Sequence, residues 1–156
     1  MLNDLSAAGI PVWLDGGWCV EALVGRQLRD HQDLDIAVPR SAESKLRAWL
    51  AARDYTEIET ADAAAWNFAV QDPVGLKLDV HVFEHDERGE VSYGVAYPLA
   101  SLDGRASLGG TGVKCITPEW MFQFKTAYTP REKDLIDIRA LAGKYGFDIP
   151  TTHRGT

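Results

Sequence analysis

A strict alternation of apolar and polar residues marks residues 76–83 as the clearest predicted β-strand of the chain. Side chains of a strand point alternately to its two faces, so this segment has an apolar face and a mixed face. The two faces consist of Leu76, Leu78, Val80 and Val82 on one side and of Lys77, Asp79, His81 and Phe83 on the other. Further strands are predicted at residues 12–14, 34–38, 55–59 and 67–71.

Apolar residues at helical spacing predict five helices. The first spans residues 3–8, the second spans residues 18–24 and ends near Gly25, and the third follows Ser41, whose hydroxyl suits an N-cap. The last two begin near Pro118 and Pro130, because proline is favoured in the first helical turn. Their apolar stripes are Trp120, Phe124 and Tyr128 in one and Leu135, Ile138, Leu141, Ala142 and Tyr145 in the other.

The order of these elements predicts an α+β fold, with a mixed sheet, flanking helices packed mainly on one face, and a C-terminal helical pair. The glycine-rich segment 86–112 is expected to carry short strands or loops. A chain of 156 residues suits one hydrophobic core, so residues 1–150 are expected to form a single domain. Residues 151–156 are expected to form a frayed tail.

Two carboxylates and two glycines near the N-terminus form the first candidate site. Asp33 and Asp35 are two apart at the start of a strand and therefore point to the same side. Two close carboxylates repel each other unless a cation lies between them, and Mg²⁺ prefers such oxygen ligands. Gly16 and Gly17 precede a helix, where a backbone without Cβ atoms lets a phosphate approach the first N–H groups. Either half is common alone, but the two in this order predict a triphosphate site.

Asp79 is the candidate for a third carboxylate. Aspartate is depleted in strands, although polar alternation on a solvated sheet face would also explain it. Three acidic groups on neighbouring strands would form a two-metal clamp around a reacting phosphate. We therefore predict that Asp33, Asp35 and Asp79 are the catalytic residues and bind two Mg²⁺ ions.

The pattern of Gly-Gly, Asp-x-Asp and a later strand aspartate resembles the polymerase-beta-like nucleotidyltransferase superfamily. Within it, the chain resembles the antibiotic nucleotidyltransferases, and most closely the short-form lincosamide nucleotidyltransferases. The resemblance covers nearly the whole chain and rests on the blocks WLDGGWCVEALVGRQLRDHQDLDI, LDVHVF and KCITPEWMFQFKTAYTPREKDLIDIRAL. The first block also resembles the aminoglycoside 2″-nucleotidyltransferases, whereas the third block and the short length favour the lincosamide group.

The resemblance implies roles for the three aspartates. Asp33 and Asp35 match the pair that binds both metals. Asp79 matches the third carboxylate, which helps to hold the acceptor-side metal or takes the hydroxyl proton. The chain departs from its relatives at Ala37, where some carry another aspartate, and at residues 93–98, which have no counterpart. These departures bear on the identity of the substrate.

The resemblance also implies the residues that bind the nucleotide. Gly16 and Gly17 match the phosphate-cradling turn, and Arg29 and His31 match the basic pair ahead of the Asp motif. Arginine makes forked bonds to phosphate, but solvated loop residues are an equal alternative for Arg29 and His31. Lys125 either reaches inward to phosphate or is an ordinary surface lysine.

Several other residues allow two interpretations. Asp134 and Asp137 share a helix face and either line an acceptor site or, as we favour, pair with Lys133 and Arg139 in solvent. His81 shares the face of Asp79 and orients it or contacts substrate. Aromatic residues that wall a nucleobase pocket or, more commonly, fill a core are Trp18, Trp120, Phe124 and Tyr128. Cys19 and Cys115 are expected to be buried apolar residues.

Charge and composition narrow the function classes. The net charge is −7, and no basic stripe suits a nucleic acid backbone, so a nucleic acid partner is not expected. No apolar run approaches the roughly 20 residues that cross a bilayer, so no membrane association is expected. Two distant cysteines and an N-terminus without a signal-peptide pattern favour a cytoplasmic protein. Homodimerisation is left open.

The resemblance implies metal-dependent transfer of a nucleoside monophosphate from a nucleoside triphosphate to a hydroxyl of a small molecule, with release of pyrophosphate. A lincosamide antibiotic is the expected acceptor. The alternatives are an aminoglycoside nucleotidyltransferase, whose polycationic acceptors suit an acidic chain, and a non-catalytic nucleotide-binding member of the superfamily. The intact set of three aspartates argues against a degenerate site.

Overall fold

A computed structural model describes residues 1–154, so the last two residues of the predicted tail lie outside the described residues. Eight strands are present: β1 (Trp13–Leu14), β2 (Asp33–Pro39), β3 (Thr56–Ile58), β4 (Asn67–Gln71), β5 (Lys77–His85), β6 (Val91–Gly94), β7 (Gly104–Leu108) and β8 (Thr111–Cys115). The helices are α1 (Leu2–Ala7), α2 (Gly16–Val24), α3 (Arg40–Ala51), α4 (Pro118–Thr126) and α5 (Glu132–Tyr145). Two short 3₁₀ turns lie at Leu99–Asp103 and Thr151–His153.

All eight strands belong to one mixed sheet. Its order is β3-β4-β5-β2-β1-β8-β7, and β6 extends β5 outside this path. The β2–β5 and β1–β8 pairs are parallel, and the other pairs are antiparallel. The predicted α+β class, the mixed sheet and the C-terminal helical pair are confirmed.

Helices cover both faces of the sheet, so the prediction that they pack mainly on one face is wrong. The core on one face joins α1 and α3 to β2, β4 and β5, for example through Leu46, Ile36 and Val80. The core on the other face joins α2, α4 and α5 to β1 and β8, and it includes Leu14 and Leu141. The central strands therefore need apolar residues on both faces over part of their length, and Ala37 and Phe83 supply them on the second face.

Cys19 and Cys115 both lie in this second core, fully buried as expected, and they are unbridged. No helix within residues 1–154 is long and apolar enough to cross a lipid bilayer.

Several element boundaries differ from the predictions by one or two residues, and three of these differences concern residues named above. Helix α3 begins after Pro39 without a side-chain cap, so Ser41 lies inside its first turn and is not the N-cap. Strand β5 begins at Lys77, one residue later than predicted. Leu76 belongs to the preceding turn, where its backbone amide donates to Asp72, and its side chain is 47% exposed. Helix α2 begins at Gly16, two residues earlier than predicted.

The glycine-rich segment 86–112 contains more regular structure than the sequence indicated. The antiparallel hairpin of β7 and β8 turns through Gly109 and Gly110, which both have left-handed backbone angles. Two adjacent glycines between short alternating runs are a hairpin signal, and this signal was available in the sequence.

The prediction of a frayed tail is wrong for residues 151–154. His153 is buried, and its Nε2 lies 2.8 Å from the carbonyl oxygen of Tyr128. The Arg154 guanidinium donates to the carbonyl of Ile149. The contact of His153 ties the turn Thr151–His153 to the segment that joins α4 and α5.

Candidate active site

Parallel pairing of β2 with β5 brings the candidate metal ligands together. Asp35 lies opposite Asp79 in the register, and Ala37 lies opposite His81. One ligand atom each from Asp35, Asp79 and His81 lies within 4.8 Å of the others. Asp33 is one strand step earlier, opposite Lys77 on the same face, and is outside this close group. Ala37 is fully buried in the second core.

The pKa values of Asp79 and His81 lie far from their ordinary values, because of burial and of the neighbouring charges. Burial raises the pKa of Asp79 to about 6, and the neighbouring carboxylates of Asp35, Asp62 and Asp33 add to the rise against the opposing effect of His81. Burial by itself lowers the pKa of His81, but the Asp35 contact at 3.7 Å and the surrounding carboxylates outweigh it and raise this pKa to about 9. His81 therefore carries a positive charge at neutral pH and balances Asp35.

The carboxylates fit a divalent cation. Mg²⁺ prefers oxygen ligands, so Asp35 and Asp79 supply the donors of this group. Their mutual repulsion in a partly desolvated position is the situation that a cation relieves. His81 then serves as the neighbour of Asp35 rather than as a ligand.

Gly16 and Gly17 form the first turn of α2 directly beside these carboxylates. Gly16 has a φ of +61°, and a Cβ at this position would overlap the carboxylate of Asp35. A Cβ at Gly17 would overlap the guanidinium of Arg29 and the ring of His31. Glycine is therefore needed at both positions to make room for the protein's own side chains, which lie against the N-terminus of α2. The amide of Gly16 is bonded to Asp15, and the next amides of this first turn have no partner within the helix and suit an anion.

Asp15 holds this turn in place. Its Oδ1 accepts a hydrogen bond from the backbone amide of Gly16 at 2.7 Å, and its other oxygen accepts one from the hydroxyl of Tyr97. Asp15 was not among the predicted site residues, although an aspartate immediately before a helix is a standard N-cap signal.

A second buried carboxylate, Glu21, holds the loop that carries Arg29 and His31. Its Oε1 accepts hydrogen bonds from the backbone amides of Leu28 at 2.7 Å and Arg29 at 3.1 Å. His31 Nε2 lies 2.8 Å from the same oxygen. The ring of His31 also packs on Trp18, with 4.7 Å between centroids. Neither basic residue is a solvated loop residue.

Lys125, Asp134 and Asp137 form a buried ionic cluster between α4 and α5. Lys125 Nζ lies 2.9 Å from Asp137 and 3.8 Å from Asp134. Asp134 also accepts hydrogen bonds from the hydroxyl of Tyr128 and from Arg131. The preference for Asp134 and Asp137 as solvated residues is therefore wrong, and Lys125 is not a surface lysine. Their helix face packs against α4 and α2, and the charged partners of Asp137 come from α4 and from the loop after α2.

The predicted site residues all line one cavity of about 460 Å³. They are Gly16, Gly17, Arg29, His31, Asp33, Asp35, Asp79 and Lys125. Six further residues complete the lining, namely Asp62, His81, Tyr128, Arg131, Lys133 and Asp134. The alternation of β5 placed His81 beside Asp79 in the sequence, whereas nothing in the sequence pattern of the loop before β4 indicated Asp62. Among the four aromatic candidates, Tyr128 lines this cavity, and Trp18, Trp120 and Phe124 pack against the core.

Comparison with known proteins places this site in a family. The chain is 27% identical to a lincosamide resistance protein of Staphylococcus haemolyticus over 137 residues, which cover 85% of this chain and 84% of that protein. A shorter match of 39 residues, 38% identical, links 25% of the chain to 22% of a 2″-aminoglycoside nucleotidyltransferase of Escherichia coli.

Two solved structures share the fold. The lincomycin-bound lincosamide antibiotic adenylyltransferase LnuA matches with a TM-score of 0.75 and 23% identity, over 90% of each chain. The aminoglycoside enzyme ANT(2″)-Ia, in complex with adenylyl-2″-tobramycin, matches with a TM-score of 0.74 and 19% identity, over 92% of this chain and 84% of that one. At these identities the likeness concerns the fold alone, and it confirms the predicted nucleotidyltransferase fold.

The family comparison extends from the first residue to the middle of α5. Residues 1–141 match the family described as aminoglycoside-2″-adenylyltransferase, a span that contains every residue that lines the cavity. The chain is a member of the aminoglycoside-2″-adenylyltransferase family of antibiotic nucleotidyltransferases.

Proposed function

We propose that this protein transfers a nucleoside monophosphate from a Mg²⁺-bound nucleoside triphosphate to a hydroxyl of a lincosamide antibiotic. The proposal rests on the register of β2 and β5, which pairs Asp35 with Asp79. Both residues lie beside the N-terminus of α2 and line the same cavity. Residues from Gly16 to Asp134 contribute to this cavity, so the proposed catalytic domain is the whole unit 1–150.

The proposed reaction forms a bond between the acceptor oxygen and the α-phosphorus and breaks the bond from that phosphorus to the pyrophosphate oxygen. Two Mg²⁺ ions, when bound, would stabilise the negative charge of the phosphates and acidify the attacking hydroxyl. Asp33 and Asp35 would hold the nucleotide-side ion. Asp79, which lies opposite Asp35 on β5, would help to hold the acceptor-side ion or take the hydroxyl proton.

The N-terminus of α2, beside Asp35, would hold the phosphates. Gly16 and Gly17 line the cavity there, and Arg29 and Lys125 in the same lining would offer positive charge. Both cations are largely buried and already ion-paired, so their positions are set before the nucleotide binds. Such prior positioning is the main contribution that a protein makes to phosphoryl and nucleotidyl transfer.

The proposed acceptor follows from how much of the chain matches each of the two kinds of relative. The lincosamide resistance protein matches along 85% of the chain, whereas the aminoglycoside enzyme of Escherichia coli matches over 39 residues. An aminoglycoside is the second candidate, because the family description names it and because Asp33, Asp35, Asp62 and Asp79 make one cavity wall acidic. Polycationic acceptors would be attracted to such a wall.

The deciding experiment measures pyrophosphate release from MgATP and MgGTP with a panel of acceptors. Lincomycin and clindamycin form one arm, and tobramycin and kanamycin form the other. We expect release with the lincosamides, together with a mass increase of one nucleoside monophosphate in the product, and no release by Asp35→Asn. Release only with the aminoglycosides would replace the proposed acceptor. No release with either class, despite binding of MgATP, would favour a non-catalytic nucleotide-binding protein.

A further inference from the structure

The buried carboxylate of Asp137 is a part of the site that the proposed reaction does not use directly. Its side chain is 0% exposed and lies on α5. Both of its oxygens bind Arg29, from Nε at 3.1 Å and from Nη2 at 3.0 Å, and one of them also binds Lys125 Nζ at 2.9 Å. A carboxylate in such a position needs cationic partners, because a buried and unpaired charge is strongly unfavourable.

The two cations bind the same oxygen of Asp137, Oδ2. Arg29 comes from the loop between α2 and β2, and Lys125 comes from α4, so the only described group that contacts both is this carboxylate. Without its negative charge the two like charges would repel each other, and their long side chains would gain freedom to separate. Asp134 cannot replace it, since Asp134 lies 3.8 Å from Lys125 and has no contact with Arg29 among the described ion pairs.

The bond to Asp137 also determines where Arg29 lies at the other end of the site. The guanidinium lies directly against the backbone of Gly17: a Cβ added at Gly17 would overlap Nη2 of Arg29. Arg29 and Lys125 thereby face the cavity from the side of the α2 N-terminus, while Asp33, Asp35 and Asp79 face it from the sheet. The side that carries Arg29 and Lys125 also includes Asp134, which lies 3.8 Å from Lys125.

We propose that Asp137 is a positioning residue that sets the affinity for the triphosphate by aiming Arg29 and Lys125 at its phosphates. The inference rests on the proposed function, since it requires that the cavity binds a nucleoside triphosphate. Asp137 does not touch the nucleotide and acts through the two cations. The carboxylate binds Arg29 from the side, through Nε and Nη2, and Nη1 donates to the backbone carbonyl of Asp30 at 3.3 Å, so the plane of the guanidinium is fixed before a phosphate binds.

The test is the dissociation constant of MgATP, measured by calorimetry, beside that of adenosine monophosphate. Asp137→Asn should weaken MgATP binding at least tenfold and leave adenosine monophosphate within about threefold, because the outer phosphates lose both oriented cations. Arg29→Gln, which removes one of the two cations, should also weaken MgATP binding. The double variant should be hardly weaker than Asp137→Asn alone, since the contribution of Arg29 is already lost without that carboxylate.

Ile138→Val is the matched control, because Ile138 neighbours Asp137 on α5 and is fully buried but contacts neither cation. It should lower the melting temperature without changing either dissociation constant. If Asp137→Asn does not fold, Asp137→Glu keeps the charge but displaces the cations by one methylene, and it should lower the preference for MgATP over the monophosphate. Parent-like MgATP binding in a folded Asp137 variant would overturn the proposal, as would equal weakening of both ligands. If the parent itself did not bind MgATP, the proposed function would fail instead.

Discussion

Replacement of Gly16 by alanine separates backbone strain from damage to the site. Gly16 has a φ of +61°, and an L-residue in this left-handed conformation costs about 1–2 kcal/mol. The new Cβ would also overlap the carboxylate of Asp35, which must move away by more than an ångström. A misplacement of about 1 Å in a catalytic group lowers the rate by roughly 100-fold, which corresponds to about 2.7 kcal/mol of activation free energy.

Gly25→Ala supplies the matched control within the same helix. Gly25 ends α2 with a φ of +86°, so alanine there carries a similar strain. The atom nearest to its new Cβ is Lys144 Nζ at 3.9 Å, an ordinary contact distance. Gly25→Ala should therefore lose about 1–2 kcal/mol of unfolding free energy and keep its turnover.

The assay combines urea unfolding with pyrophosphate release under saturating MgATP and acceptor. Gly16→Ala should unfold at a urea concentration similar to Gly25→Ala but react about 100 times more slowly than the parent. If the two variants differed by less than about threefold in rate, the contact between Gly16 and Asp35 would not control the position of the catalytic carboxylate.

Three further predictions concern the aspartates, the metal and a buried glutamate. Asp79→Asn should abolish nucleotidyl transfer while MgATP still binds, whereas Asp35→Asn should lose both transfer and MgATP binding. Product mass measures the transfer and calorimetry measures the binding. Full transfer by Asp79→Asn would remove the proposed role of Asp79. Chelation by EDTA should stop pyrophosphate release and excess Mg²⁺ should restore it, whereas unchanged release in EDTA would exclude metal dependence. Burial raises the pKa of Glu21, but the amides of Leu28 and Arg29 and the ring of His31 outweigh it and lower this pKa. The stabilising effect of the ionised Glu21 is therefore present above pH about 4.5 and is lost as the pH falls through the lowered pKa. The variant Glu21→Gln should therefore lose less stability on acidification than the parent. Identical acid unfolding profiles of the two proteins would contradict this.

Local sequence patterns were sufficient for the main features of the catalytic face. The alternation of residues 76–83 placed Asp79 and His81 on one face of β5, and the two-residue spacing placed Asp33 and Asp35 on one face of β2. These inferences hold because the direction of a strand side chain depends only on its position along the strand. The glycine pair likewise indicated a close approach to the backbone, although the groups that approach it proved to be protein side chains.

The partners of the buried charges were decided by the tertiary structure. Asp137 is 108 residues from Arg29, and a helix-surface pattern predicted that it would pair with neighbours in solvent. Its actual partners depend on how α5 packs against α2 and α4, which spacing along one helix does not specify. The same reason applies to Glu21 and to the pairing of Asp35 with Asp79, because register between strands more than 40 residues apart is set by the packing of both sheet faces. Sequence periodicity determines which way a side chain points, and the packing of distant elements determines what it meets there.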